Sequence, residues 1–373
     1  MLRDAVFLLS PETHRTDAEL FASQALGTAP QGDTPSRQQD EALHHLLSLC
    51  DRRRTPTAAA LVAALATVVD DAEVEAARRE WAAALTPELG WLAEPEPVLQ
   101  AASRAADPYD DQAVVFLEFK DVTVVAQTGR AMGEGVLSLT LTVPGSARLW
   151  DDEGGWPREP VAPEEAARIL GTALAHTGRW WPPLDNEGYR ETRFLVAARL
   201  RALPRAEADV ADWAPLSDEA KTELADRFFA DLEVPDEDVT RELVDLCLTF
   251  ADGWVPGGAL AWSPGVVERF LLDWVPRRTF LDPASRSLLP TVTYAFSGWA
   301  LLARGVDKAA AADAAQVALD LAEEFQQLYD STERSPATEL AQHLQDSGVD
   351  LDEPAALDAA ISAYNAERLA RRL

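Results

Sequence analysis

The chain has 373 residues, 47% of them hydrophobic and 26% charged, the mix of a globular protein with room for two cores and not of a disordered one. Its 63 acids outnumber 33 bases, giving a net charge of −30 that is spread along the chain. Such charge favours solubility and disfavours nucleic acid and anionic membrane as partners, because phosphate binding needs clustered Lys and Arg.

Lys120, Lys221 and Lys308 are the only lysines; the other bases are arginines, and alanine abounds, a bias expected of a GC-rich actinobacterial genome. Cys50 and Cys247 are too few for a disulfide scaffold, so two free thiols in a reducing cytoplasm are expected. The apolar run at residues 5–9 is too short for a signal peptide core. No stretch approaches the ~18 apolar residues that a membrane helix requires.

Residues 1–39 read as an N-terminal arm and linker, since 27–39 (GTAPQGDTPSRQQ) is rich in Gly, Pro, Ser and Gln. An α+β domain is expected over 40–205. Its helices begin at 40–51, continue behind a Thr55 cap with Pro56 in the first turn, and resume over 72–85, where Glu75 and Arg79 are one turn apart. Density of β-branched and aromatic residues then marks strands at 113–119, 122–128 and 136–143, a three-stranded antiparallel meander. Helices return at 163–176 and 191–203, and 204–216 reads as the main boundary. An all-α domain is expected over 217–373. Ser217, Asp236 and Asp282 serve as caps, Pro290 kinks the helix that Asp282 opens, a long helix covers 307–330, and a last one covers 353–372. The fold class is therefore α+β, mainly α: a helical bundle carrying one three-stranded meander.

Candidate sites are few. Glu118-Phe119-Lys120 ends a strand, with Asp107, Asp110 and Asp111 upstream. This resembles the core of the restriction-endonuclease-like nucleases, and the resemblance implies that Asp111 and Glu118 hold Mg²⁺ while Lys120 orients the attacking water. It spans about 15 residues, and a meander follows where that superfamily has a helix-flanked mixed sheet. The histidines His14, His44, His45, His176 and His343 lack chelating spacing, so no metal or cofactor is expected. Residues 129–135 (GRAMGEG) precede a strand and not a helix, which reads as a hairpin turn and not a phosphate cradle. The run Arg52-Arg53-Arg54 is too small for a nucleic-acid surface. Large aromatics on loops remain as partner-binding candidates: Trp254 and Trp262 in GWVPGGALAWSPG, and Trp180 and Trp181 before two prolines.

The segments DPYDDQAVVFLEF, YRETRFLVAARLRALP and LLDWVPRRTFLDPASRSLLPTVTYAFSGWALL resemble hypothetical proteins of Streptomyces-type actinobacteria, a resemblance that transfers no activity. Together these readings favour a non-enzymatic, acidic, cytoplasmic protein that binds another protein. The alternatives are a metal-dependent hydrolase or nuclease using Asp111, Glu118 and Lys120, and an acidic mimic of nucleic acid that occupies a basic partner.

Overall fold

The computed structural model describes residues 3–28, 35–84, 89–131, 135–152, 156–179, 184, 186–204, 215–233, 236–331 and a few positions between 340 and 364. The chain divides into two units, Met1–Ala211 and Asp212–Leu373. It is mostly helical with one antiparallel sheet.

In the first unit a 3-10 helix (Asp4–Leu9) leads into α1 (Arg15–Thr28), α2 (Pro35–Arg53), α3 (Pro56–Val68) and α4 (Ala72–Ala84). Thr55 caps α3, its side chain accepting the Ala58 N–H at 3.2 Å. α3 is apolar on every side, and its residues 58–65 are all buried, because the 3-10 helix, α1, α2, α4 and α7 (Glu187–Arg201) surround it. Residues 4–28, within the expected arm, are thus packed into this unit. Leu8, Ala18, Ala22 and Leu26 are fully buried in the same cluster as Leu61 and Val62. Gly27, read above as the start of a linker, is a packing residue: a Cβ there would lie 2.0 Å from the Arg190 carbonyl oxygen of α7.

The sheet has five strands, not three. The expected strands correspond to β2 (Gln112–Phe119), β3 (Thr123–Gly129) and β4 (Gly135–Thr142); β1 (Leu99–Ala106) and β5 (Arg158–Pro160) add to them in the order β4-β3-β2-β1-β5, antiparallel throughout. One face packs under α6 (Pro163–Thr177) and α7 through Val115, Leu117, Leu170 and Leu195. The other face, with Val114 and Phe116, is covered by Ala147 and Trp150 of α5 (Ala147–Asp152) and by Trp156. With both faces covered, β2 reads as a nearly continuous apolar run instead of an alternating one. α7 serves two cores, sending Phe194 into the helical cluster and Leu195 and Val196 toward the sheet.

The second unit is helical among its described residues: α8 (Asp218–Leu232), α9 (Asp238–Trp254), α10 (Pro264–Glu268), a π-helical turn (Arg269–Trp274), α11 (Val275–Arg278), α12 (Pro283–Ala303), α13 (Lys308–Asp320) and α14 (Ala322–Ser331). Ser217 and Asp282 cap α8 and α12. Asp236 does not cap α9; its carboxylate pairs with Arg241 instead. The expected helix over 307–330 is divided at Leu321. The one expected over 353–372 falls largely outside the described residues. The core is aromatic: Phe250, Trp262, Phe270, Trp274 and Phe296 lie ring to ring at centroid separations of 4.9 to 5.9 Å. Each such pair contributes about 0.5–1.5 kcal/mol beyond area burial. Asp252, 1% exposed, ties the approach to α8, accepting the Leu216 N–H at 3.0 Å and lying 3.1 Å from Lys221 Nζ.

Candidate functional site

The nuclease-like residues do not meet. Asp111 lies just before β2, buried, with Oδ1 accepting the Ala131 N–H at 2.7 Å. Glu118 lies seven positions along the same strand, on the order of 24 Å away at ~3.4 Å per residue. There its Oε1 sits 3.5 Å from Arg158 Nη1 of β5. Lys120 is exposed in the β2–β3 turn. A shared Mg²⁺ would need both carboxylates within a few ångströms. Among the described residues, no group of three or more His, Cys, Asp and Glu side chains is placed to hold a metal ion.

The acids before β2 build a turn. Asp107 accepts N–H bonds from Tyr109, Asp111 and Gln112 at 3.1, 2.8 and 3.1 Å. Burial pushes the Asp107 carboxyl above its ordinary range, against the pull of those donors. Asp110 takes a left-handed conformation (φ 57°) and pairs with Arg104. These contacts spend the polar atoms on fixing a loop.

A buried ionic cluster escaped the sequence reading altogether. Arg199 of α7 lies 2.8 Å from Glu19 of α1 and 2.9 Å from Asp121 of the β2–β3 turn. Arg15 Nε pairs with the other Glu19 oxygen at 2.8 Å, and the Arg15 N–H donates to Glu94 at 2.9 Å. Burial pushes the Glu19 carboxyl up and the Arg199 guanidinium down, each partly offset by the other's charge. The Arg199 guanidinium also lies over the Phe119 ring. Residues more than a hundred positions apart meet here, which no local pattern announces. The cluster clamps α1, α7 and the β2–β3 turn together.

The four tryptophans fare differently. Trp180 and Trp181 lie outside the described residues. Trp262 is fully buried, with Nε1 donating to the Ala259 carbonyl at 3.0 Å, so it is a core plug and not a binding residue. Its loop turns on Gly257 and Gly258, both at positive φ (98° and 82°), which lets the chain fold back and carry Trp262 inward. Trp254, last in α9, stays 39% exposed. The Arg278 guanidinium lies 4.2 Å from its ring centre, and Arg269 Nη1 donates to its carbonyl at 3.4 Å. Arg278 is exposed and makes no ion pair among the described residues. An indole held under a cation with donors to spare can receive an apolar group and a carboxylate together. The sequence offered no local signal for this pair: Arg278 ends α11, 24 positions along the chain from Trp254.

No protein-family model matches the sequence, and no curated protein or solved structure is similar to it. Among the described residues no helix is long and apolar enough to cross a membrane.

Proposed function

We propose that this is a non-catalytic protein that works by binding another protein, with Trp254 as the anchor of the contact surface. One observation carries the reading: Trp254 keeps 39% of its surface exposed while Arg278 and Arg269 fix its ring and its carbonyl. Trp and Arg are the side chains that most often dominate a protein interface, and a rigid indole loses little entropy on docking. Free, buried cysteines suit a reducing cytoplasm, and the preference for arginine over lysine suits an actinobacterial host, in which the partner should be sought.

The test places a photoreactive benzoylphenylalanine at position 254 and, as control, at the exposed position 313, in the protein produced in its native cells. A discrete protein adduct from position 254, absent from position 313 and competed by the wild-type protein, is the expected result. Equal labelling from both positions, or none from 254, sinks the reading.

A further inference from the structure

We infer a second docking surface, in the first unit and independent of Trp254: a groove between the N-terminal 3-10 helix and α1 that receives a basic, amphipathic segment of a partner protein. A 3-10 helix has three residues per turn, so Ala5 and Leu8 share one face and Val6 and Phe7 turn away from it. Ala5 and Leu8 are fully buried, and Val6 and Phe7 remain 56% and 37% exposed. Phe7 meets Phe21 of α1 edge-on at 5.2 Å. Phe7, Phe21 and Leu20 form the apolar part of the lining of an open groove of about 490 Å³, which Glu12 and Asp17 line together with Ser10, Thr13 and Gln24.

Both carboxylates are exposed and neither makes an ion pair with a described residue. Asp17 does accept the His14 N–H at 3.3 Å, which closes the first turn of α1. The occupant follows from charge complementarity. An apolar side chain would fill the aromatic corner while a neighbouring Lys or Arg reaches Glu12 and Asp17. A second copy of this chain, itself at −30, and an anionic membrane are both disfavoured by like charge.

The probe is a fluorescein-labelled helical peptide with leucines on one face and lysines on the other, titrated with the full-length protein and read by anisotropy. Glu12→Gln with Asp17→Asn removes the two charges yet leaves an oxygen to accept the His14 N–H, and should weaken binding by about fivefold or more. Phe7→Ala, which leaves the charge unchanged, should weaken it by about as much. Asp313→Asn with Glu324→Gln, a like change of net charge at exposed positions of the second unit, should alter it by less than about twofold. The inference is overturned if wild type shows no saturable binding, or if the control pair weakens binding as much as the groove pair. It is equally overturned if the Glu12/Asp17 pair, verified as folded by circular dichroism, binds like wild type. Floating the protein with vesicles containing an anionic phospholipid completes the test: membrane binding lost in Phe7→Ala would assign the groove to lipid and end the peptide reading.

Discussion

Arg199 stands between Glu19 and Asp121 with 4% of its side chain exposed, and Glu19 opposite is equally buried. Taking two such charges out of water costs more than their attraction returns, so the pair contributes more to fixing how α1 meets α7 than to net stability. Breaking it is another matter. Arg199→Met should cost about 3–5 kcal/mol in urea unfolding at neutral pH, because two acids are then left without their shared cation. The sign of the pH dependence follows from Glu19, whose carboxyl burial already holds above its ordinary value. A raised carboxyl pKa favours the native state at low pH and loses that contribution as pH rises through it. The Arg199→Met deficit should therefore shrink as pH is lowered from neutrality toward 5; a deficit constant with pH would show that lost packing, not charge, is responsible. The cysteines give a simpler expectation. Both are buried, and burial pushes each thiol up to about 12. Neither should react with a thiol reagent at pH 8 until the protein is unfolded, and reducing and non-reducing gels should agree. Trp254 and Trp262 mark the limit of residue-level reading: eight positions apart in one loop-rich stretch, one is exposed and one is a plug. The difference arises from aromatic neighbours that come from elsewhere in the chain.

At the scale of elements, periodicity and caps were readable wherever the segment decided its own state. The strands β2, β3 and β4 are dense in Val, Leu, Phe and Thr, and the helices behind Thr55, Ser217 and Asp282 carry local caps. β1 escaped because LQAASRAA has no β-branched residue and an alanine content that suits a helix. It is a strand because β2 pairs with it, Ala102 opposite Leu117 and Ala105 opposite Val114. β5 is three residues long and ends on Pro160 at the sheet edge, where a missing N–H costs nothing. Pro290 is instructive in another way. It lies inside α12, which continues through it, and its missing N–H deprives the Arg286 carbonyl of its helical donor. Gln326 of α14 supplies a replacement, its Nε2 donating to Arg286 O at 3.0 Å. Gln326→Leu should then cost about 1–2 kcal/mol. In a Pro290→Ala background, where the backbone can restore its own bond, the same change should cost clearly less. Additive effects in that double-mutant cycle would show that the glutamine is not compensating for the proline.

At the scale of the whole molecule, the sequence suggested a division within 204–216, where Pro, Ala and acids follow one another, while contacts divide the chain between Ala211 and Asp212. Charge acts on the molecule as a whole. At −30 the folded state repels itself, and because that repulsion is long-ranged, salt screens it over a Debye length of ~10 Å at 0.1 M. Adding NaCl to about 0.5 M should raise the melting temperature by a few degrees; a fall would mean that the Arg–Glu and Arg–Asp pairs outweigh the general repulsion. What the charge pattern could not reveal is how many cores the chain builds. The first unit has its own, in the helical cluster around α3 and on the two faces of the sheet. The second has another in the aromatic group around Phe250 and Trp262. At roughly 160 residues, the second unit is large enough to bury about 70% of its unfolded surface without help. A fragment covering 212–373 should therefore fold alone, with a helical circular-dichroism spectrum and a cooperative urea transition. The fragment 1–211 should keep the mixed spectrum of helix and sheet. The sum of the two spectra should reproduce that of the intact chain. An insoluble or non-cooperative 212–373 fragment would mean that its aromatic core needs the first unit to form.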